Sequence, residues 1–229
     1  MSKSRDLIFT HFSYLYISSS INSYGGSAAF PGDFVISNSN VVYKDKDVGE
    51  NDDFSVTAFT KSGKLIVGNH SINDLKKADV SEALCFRPPA LIINNKLQIN
   101  DDDAGIDGFQ PRTAIGQTSD GTILFLVMDG RQTLVKSGAT LKDAQDELLK
   151  HGAANATCLD GGFSSTLYYD GKVINNPHGW NGERYVATAL LIESIAFFAV
   201  DRYYKLSLLD TKTTEIKILQ RFITVGFLI

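Results

Sequence analysis

The stretch Asp120-Gly121-Thr122-Ile123-Leu124-Phe125-Leu126-Val127 places an Asp-Gly pair just before an unbroken apolar run. Two-residue hairpin turns favour Asp-Gly because glycine adopts a positive φ without steric strain. A short apolar run bounded by such a turn is typical of a buried β-strand. This stretch therefore predicts a β-hairpin whose second strand is buried in a sheet.

The same combination of apolar run and turn recurs through the middle of the chain. Apolar runs flank three further turns, at 61–64, at Asn94-Asn95 and at Asp170-Gly171. Glycine and asparagine at these positions tolerate the backbone conformations that tight turns require. The pattern predicts several antiparallel hairpins.

One segment, from Leu141 to about Lys150, has the pattern of a helix. Thr140 and Asp143 form a Thr-x-x-Asp capping box at its start, and Gly152 follows as a stop signal. The residues expected on its apolar face are Leu141, Ala144, Leu148 and Leu149. A weaker helix is predicted over 72–77. Several hairpins with one main packed helix at about 141–150 predict an α+β fold with a mixed or antiparallel β-sheet.

Composition excludes several classes of function. The chain has 229 residues, 43% of them hydrophobic, and a formal net charge of −4, so a folded domain with no basic excess for nucleic acid is expected. No apolar run is long enough for a transmembrane segment, and residues 7–15 are too interrupted by polar residues for a convincing signal peptide. Cys85 and Cys158 are too few and too far apart for a disulfide framework or zinc cluster, and buried thiols are expected.

Polar side chains occur at the edges of predicted strands in four segments: 111–116, 129–131, 159–166 and 182–186. Asp129 and Asp160 each end an apolar strand, which would deliver two acids from neighbouring strand ends. Two such acids are the minimum for general acid/base or nucleophilic glycoside chemistry. The alternative is a pair of Asp-Gly turns with solvated carboxylates.

Other residues near these acids can bind oxygen-rich ligands. Gly161 and Gly162 allow backbone N–H groups to approach a ligand, and hydroxyls such as those of Ser164 and Ser165 add donors. Arg112 and Arg184 can bind a phosphodiester through two parallel hydrogen bonds. Either arginine could instead be an ordinary ion-pair partner, for Glu183 or for one of the aspartates.

Two further features have a simpler interpretation. The acidic segment 101–108 departs from the spacing of an EF-hand loop, so a solvated loop is favoured over a calcium site, and no metal is predicted. His178 is interpreted as an exposed loop residue.

Taken together and in order, these segments resemble the phosphodiester glycosidase family. The resemblance spans about 21–193 and rests on Arg112-Thr113-Ala114-Ile115-Gly116, Asp129-Gly130-Arg131, the segment 155–166 and Gly182-Glu183-Arg184. Its members include the uncovering enzyme that removes N-acetylglucosamine from a phosphodiester, and bacterial proteins associated with exopolysaccharide biosynthesis. The chain departs from the family at 22–26 and at Phe163, where a small residue is usual.

The resemblance implies a hydrolase that cleaves a sugar joined through a phosphodiester or related glycosidic linkage, in exopolysaccharide or cell-wall glycan metabolism. It implies a carbohydrate or sugar-phosphate substrate and no organic cofactor. Its candidate catalytic residues are Asp129, Asp160 and Glu183, and its candidate binding residues are Arg112, Thr113, Arg131, Gly161, Gly162, Ser164, Ser165 and Arg184. Residues 1–20 and 194–229 are expected to be terminal extensions. The alternative is a catalytically inactive carbohydrate-binding or truncated pseudo-enzyme member of the family.

Overall fold

The hairpins predicted from turn residues assemble into three sheets. The computed structural model describes residues 14–19, 31–85, 90–101, 108–132, 137–169, 172–178, 184, 186, 188–194, 206–210, 214–218 and 223–228. The strands are β1 (Tyr14–Ser19), β2 (Phe34–Ser37), β3 (Asn40–Lys44), β4 (Phe54–Thr60), β5 (Leu65–His70), β6 (Val80–Cys85), β7 (Ala90–Ile93), β8 (Lys96–Leu97), β9 (Arg112–Thr118), β10 (Ile123–Met128), β11 (Ala153–Leu159), β12 (Leu167–Tyr169), β13 (Lys172–Val173), β14 (Thr188–Ser194), β15 (Leu206–Asp210), β16 (Thr214–Ile218) and β17 (Ile223–Leu228). The helices are α1 (Ile72–Lys77) and α2 (Leu141–Lys150), and Gly162–Ser164 form a 3-10 turn.

The central sheet has the strand order β15-β16-β10-β9-β11-β7-β8. A second sheet has the order β3-β2-β6-β4-β5, and a third has the order β13-β12-β1-β14-β17. The hairpins β4–β5, β7–β8, β9–β10 and β12–β13 all pair antiparallel, as their turns predict. The α+β prediction is confirmed, with a larger share of strand than of helix.

The apolar run of β10 is explained by burial on both faces of the central sheet. Ile123, Phe125 and Val127 pack into a core shared with the other two sheets. Leu124 and Leu126 pack on the opposite face, in a core that includes α2. A strand covered on both sides needs no polar alternation, so its sequence is a continuous apolar run.

Helix α2 begins with the predicted capping box, in which Thr140 and Asp143 each accept a hydrogen bond from the other's backbone N–H. The prediction of its apolar face is wrong at one position: Leu149 is 42% exposed, and Gln145 is fully buried in its place. The Gln145 side chain accepts from the Ile99 N–H at 2.8 Å and donates to the Ile99 carbonyl at 2.8 Å. A buried amide is stable here because both of its polar groups are paired with backbone.

Strands near both ends of the chain join the sheets. β1 pairs with β12 and β14, β16 pairs with β10, and β17 pairs with β14. In the part of the chain that the structure describes, no helix has the length and apolar character needed to cross a membrane.

Candidate active site

The register of the central sheet brings three of the sequence motifs together at one end of its inner strands. β9 lies between β10 and β11, with Met128 opposite Arg112 and Leu159 opposite Thr113. Asp129 and Asp160 therefore follow the ends of β10 and β11 at the same side of the sheet, where β9 begins. The strands that end in these acids are second neighbours and not direct neighbours, so about 10 Å separates the strand axes.

Asp160 has the environment of a proton donor. Its Oδ2 atom is buried and accepts no hydrogen bond from the described residues. Burial raises the pKa of Asp160 to about 6, although the Ser164 hydroxyl, the Arg184 guanidinium and the Gly161 backbone oppose the rise. A carboxyl group of this kind keeps its proton at mildly acidic pH, which suits it to general acid catalysis.

Asp129 has a contrasting environment, with N–H donors directed at its carboxylate. The Asn175 side-chain amide donates to Oδ1 at 2.9 Å. The Asn176 backbone N–H lies 3.1 Å from Oδ1 and 3.0 Å from Oδ2. Such donors bind the charged form of a carboxyl group, which suits Asp129 to the role of a base or nucleophile.

The turn Ser164-Ser165 connects the two acids. A hydrogen bond from the Ser164 hydroxyl to Asp160 lowers the pKa of Asp160. The Asn175 side-chain amide that binds Asp129 also donates to the Ser165 carbonyl, at 2.9 Å. The side chains of both serines are buried. The two carboxyl groups thus lie on either side of one short turn.

Close backbone packing explains the glycines after Asp160. A Cβ atom on Gly161 would lie 2.5 Å from the Pro111 carbonyl oxygen. The Gly162 N–H donates to that same oxygen at 2.8 Å, and Gly162 has a φ of +60°. Thr113, on the adjoining strand, donates from Oγ1 to the Ser165 hydroxyl at 3.1 Å. These contacts fix the turn against the start of β9.

The candidate arginines differ in their contacts. Arg112 is buried, and its Nε and Nη2 atoms donate to the carbonyls of Ala139 at 2.9 Å and Gly108 at 2.7 Å. Arg184 is partly buried, and its positive charge lowers the pKa of Asp160. Arg131 is exposed, and its Nη2 atom donates to the Gln110 side chain at 3.0 Å. Arg184 and Arg131 are therefore better placed than Arg112 to bind a phosphate.

Phe163 and His178 lie beside Arg131. The Arg131 guanidinium carbon is 5.4 Å from the centroid of the Phe163 ring. The Phe163 and His178 rings stack with centroids 5.3 Å apart. His178 is half-buried within this stack, and is not the fully exposed loop residue that the sequence suggested.

Some candidate residues lie outside the described part of the chain. Glu183 is one, and so are residues 22–26 and 102–107. Where the structure does describe the chain, no group of three or more histidine, cysteine or acidic side chains could hold a metal ion. Cys85 and Cys158 are buried.

Asn175 is the residue that sequence reasoning missed. It binds Asp129 and Ser165, and its Oδ1 atom accepts from the Leu167 N–H at 2.8 Å. The segment 175–178, Asn-Asn-Pro-His, reads as an ordinary loop. The signal in the sequence was the pair of asparagines between two site motifs, since asparagine side chains often hydrogen-bond to backbone groups in loops.

Comparison with known proteins identifies the family of the chain. The family model described as phosphodiester glycosidase matches residues 17–193. The catalytic domain of zebrafish N-acetylglucosamine-1-phosphodiester alpha-N-acetylglucosaminidase, auto-inhibited by its pro-peptide, is similar in structure with a TM-score of 0.56 at 17% sequence identity. That match covers 91% of this chain and 63% of the zebrafish chain.

A second similarity is local. The SPbeta prophage-derived uncharacterized protein YomE of Bacillus subtilis (strain 168) is 50% identical over 66 residues, which are 29% of this chain and 10% of YomE. The chain therefore aligns with only a small part of YomE and with less than two thirds of the zebrafish domain. The family match covers well over half of the chain and includes both site acids, and on that ground the chain belongs to the phosphodiester glycosidase family.

Proposed function

We propose that the chain hydrolyses a sugar joined through a phosphodiester or related glycosidic linkage, in exopolysaccharide or cell-wall glycan metabolism. The observation that carries the proposal is the pair of acids around the Ser164-Ser165 turn. One acid is buried with a raised pKa, and the other is bound by N–H donors. Environments that differ in this way separate an acid from a base.

Asp160 is proposed as the general acid. A phosphate monoester has a second pKa of about 6, which is close to the pKa of about 6 of Asp160. A proton donor is most effective when its pKa is close to that of the group it protonates and to the working pH. Asp160 would protonate a phosphate oxygen as the bond between that phosphate and the sugar C1 breaks.

Asp129 is proposed as the group that completes the reaction at C1. Its carboxylate would either remove a proton from the attacking water or attack C1 itself and form a glycosyl intermediate that water then hydrolyses. Direct attack by water inverts C1, whereas an intermediate retains its configuration. NMR of the first product anomer therefore distinguishes the two roles.

Arg184 and Arg131 are proposed to bind the phosphate, together with backbone N–H groups near Gly161 and Gly162. The charge of Arg184 lowers the pKa of Asp160, and Arg131 is exposed beside Gly162. Thr113, Ser164 and Ser165 are proposed to shape the site from its buried side. Arg112 is proposed to hold the start of β9, because its guanidinium binds backbone carbonyls.

The test is turnover of a chromogenic sugar phosphodiester by the Asp160→Asn variant. Asparagine keeps the shape but cannot exchange a proton, so kcat should fall at least roughly 100-fold. The matched control is Asp79→Asn, an exposed acid paired with Lys61, which should keep wild-type turnover. In the wild type, kcat/KM should fall above about pH 6, where Asp160 loses its proton. A folded Asp160→Asn variant with near-normal turnover would remove this residue from the mechanism.

The alternative is a catalytically inactive, carbohydrate-binding member of the family. A wild-type chain that binds a sugar phosphodiester in calorimetry but hydrolyses none would support the inactive, carbohydrate-binding alternative.

A further inference from the structure

Gln110 lies just before β9, and its backbone is fixed against the residues that precede α2. Its N–H donates to the Ala139 carbonyl at 3.2 Å, and its carbonyl accepts from the Ala139 N–H at 3.0 Å. A Cβ atom on Gly138 would lie 2.3 Å from the Gln110 carbonyl carbon, so only glycine permits this approach. The position of the Gln110 side chain is therefore set by two paired segments of backbone.

The buried Arg112 strengthens the same arrangement. Its Nε atom donates to the Ala139 carbonyl at 2.9 Å, and its Nη2 atom donates to the Gly108 carbonyl at 2.7 Å. Ala139 pairs with Gln110, and Gly108 precedes Gln110 by two positions. One guanidinium thus binds the chain on both sides of Gln110, and hydrogen bonds to a charged donor are stronger than neutral ones.

The Gln110 side chain binds Arg131, a residue with an unusual backbone conformation. Arg131 has a φ of +57°, in the left-handed region that favours glycine. Its Nη2 atom donates to the Gln110 Oε1 atom at 3.0 Å, and its Nη1 atom lies 3.3 Å from where a Cβ atom on Gly162 would stand. An arginine at a position that suits glycine indicates a role for its side chain, since strained backbone is common at functional sites.

Most of the donors of Arg131 are left for a ligand. Among the described residues, Gln110 is the only hydrogen-bond acceptor that this guanidinium contacts. A guanidinium carries five N–H donors. Arg131 is exposed, and a long exposed side chain loses rotamer freedom when it binds a ligand, which weakens binding. A hydrogen bond that orders the side chain beforehand reduces that loss.

We propose that Gln110 is a positioning residue, which holds Arg131 in the orientation in which it binds the phosphate of the substrate. A neutral amide suits this role, because its oxygen accepts from the guanidinium without cancelling the positive charge that attracts the phosphate. The inference rests on the proposed function, since it concerns an arginine that is proposed to bind the phosphate of that substrate.

The test measures kcat and KM for release of N-acetylglucosamine from the methyl ester of α-N-acetylglucosamine 1-phosphate. Gln110→Met keeps the length of the side chain and removes its acceptor. It should raise KM about three- to tenfold, the cost of ordering one long side chain on binding. It should change kcat less than twofold, because a contact made equally in the bound substrate and the transition state affects KM alone. A lower kcat at an unchanged KM would overturn the proposal.

Gln110→Glu separates positioning from simple support of the fold. A glutamate has nearly the same shape and pairs with Arg131, so a structural role would tolerate it. Its negative charge would offset that of the arginine and repel the phosphate, so KM should rise in this variant also. A Gln110→Glu variant with the KM of the wild type would overturn the proposal.

A double-mutant cycle tests whether Gln110 acts through Arg131. In an Arg131→Ala background, Gln110→Met should change KM less than twofold, because the side chain that it positions is gone. The same increase in both backgrounds would show that Gln110 acts independently of Arg131 and would overturn the proposal. Thermal unfolding of each variant confirms that the comparison is made on folded protein.

The matched control is Gln98→Met. Gln98 is another exposed glutamine, and its side chain donates to the Lys96 carbonyl at 2.9 Å, at the end of β8. This variant should keep the kcat and KM of the wild type.

A failure of the proposed function gives a different result. If the wild type does not hydrolyse the methyl ester, the same variants are compared by calorimetric titration with that ester. The wild type should bind it about three- to tenfold more tightly than Gln110→Met, and the difference should disappear in the Arg131→Ala background. Equal affinities of the wild type and Gln110→Met, or no binding by the wild type, would overturn the proposal.

Discussion

At Asp160, the burial that suits the carboxyl group to proton transfer also opposes folding at neutral pH. The pKa of Asp160 is about 6 in the folded chain, against an ordinary value of 3.8. Below pH 4 the group is protonated in both the folded and unfolded states, so it does not affect stability. Between pH 4 and 6 the unfolded chain releases its proton first, and stability falls as the pH rises.

The Asp160→Asn variant should therefore be more stable than the wild type at pH 8, by up to about 3 kcal/mol for a shift of about two pKa units. The difference should shrink as the pH falls and should vanish below pH 4. Urea unfolding at pH 3.5, 5 and 8 measures it. A variant that is less stable than the wild type at pH 8 would contradict the burial of this charge.

Substitutions of Arg112 and Arg184 should have different effects, one on stability and the other on turnover. Arg112→Met leaves the carbonyls of Ala139 and Gly108 without their donors and should lower the free energy of unfolding by about 3 kcal/mol. Arg184→Ala should change stability little below pH 4, where Asp160 is protonated in the folded and unfolded states. It should reduce turnover of a phosphodiester-linked sugar roughly tenfold or more, because a hydrogen bond to a charged group contributes about 1.5–3 kcal/mol.

Arg184→Ala should also move the basic limb of the pH–rate profile to higher pH, because the charge of Arg184 lowers the pKa of Asp160. Unfolding and initial-rate measurements on both variants provide the comparison. If Arg184→Ala weakens binding of the free sugar as much as turnover of the phosphodiester, Arg184 is structural.

At the scale of elements, one side chain joins the end of β10, the Ser164-Ser165 turn and the start of β12. Asn175 bonds to Asp129, to the Ser165 carbonyl and to the Leu167 N–H. It is proposed to act on the substrate only through Asp129, so it is a positioning residue. Removing it frees the carboxylate of Asp129 from one of its donors.

Asn175→Asp should therefore lower kcat about 100-fold, the effect of misplacing a reacting group by about 1 Å. The new carboxylate would face that of Asp129 and repel it, which should displace Asp129 further. Asn73→Ala is the control, because Asn73 makes an exposed amide pair with Asn51 outside the candidate site. Activity that falls only in proportion to the loss of folded protein would make Asn175 merely structural.

At the scale of the whole molecule, the strand order of the central sheet determines which residues can act together. Asp129 and Asp160 are 31 positions apart in the chain, yet they flank one strand, since β9 pairs with both β10 and β11. Cores on both faces of the sheet hold this arrangement. A rigid scaffold of this kind can keep two acids at a fixed separation through a reaction.

The sequence by itself determined the local elements of the fold. Turn residues predicted the hairpins β4–β5, β7–β8 and β9–β10, and a capping box predicted the start of α2. These signals are local, because a tight turn or a helix cap depends on residues within a few positions of one another. The order of the motifs also indicated the family, which the family match confirms.

Only the tertiary structure decided which strands lie side by side and which polar groups are buried. It placed β9 between the two acid-bearing strands, buried Gln145 while exposing Leu149, and brought Asn175 to Asp129. Each of these results depends on contacts between residues distant in sequence. Helix periodicity identifies an apolar face only approximately, and a buried amide or a loop asparagine is stable only where the rest of the fold supplies its partners.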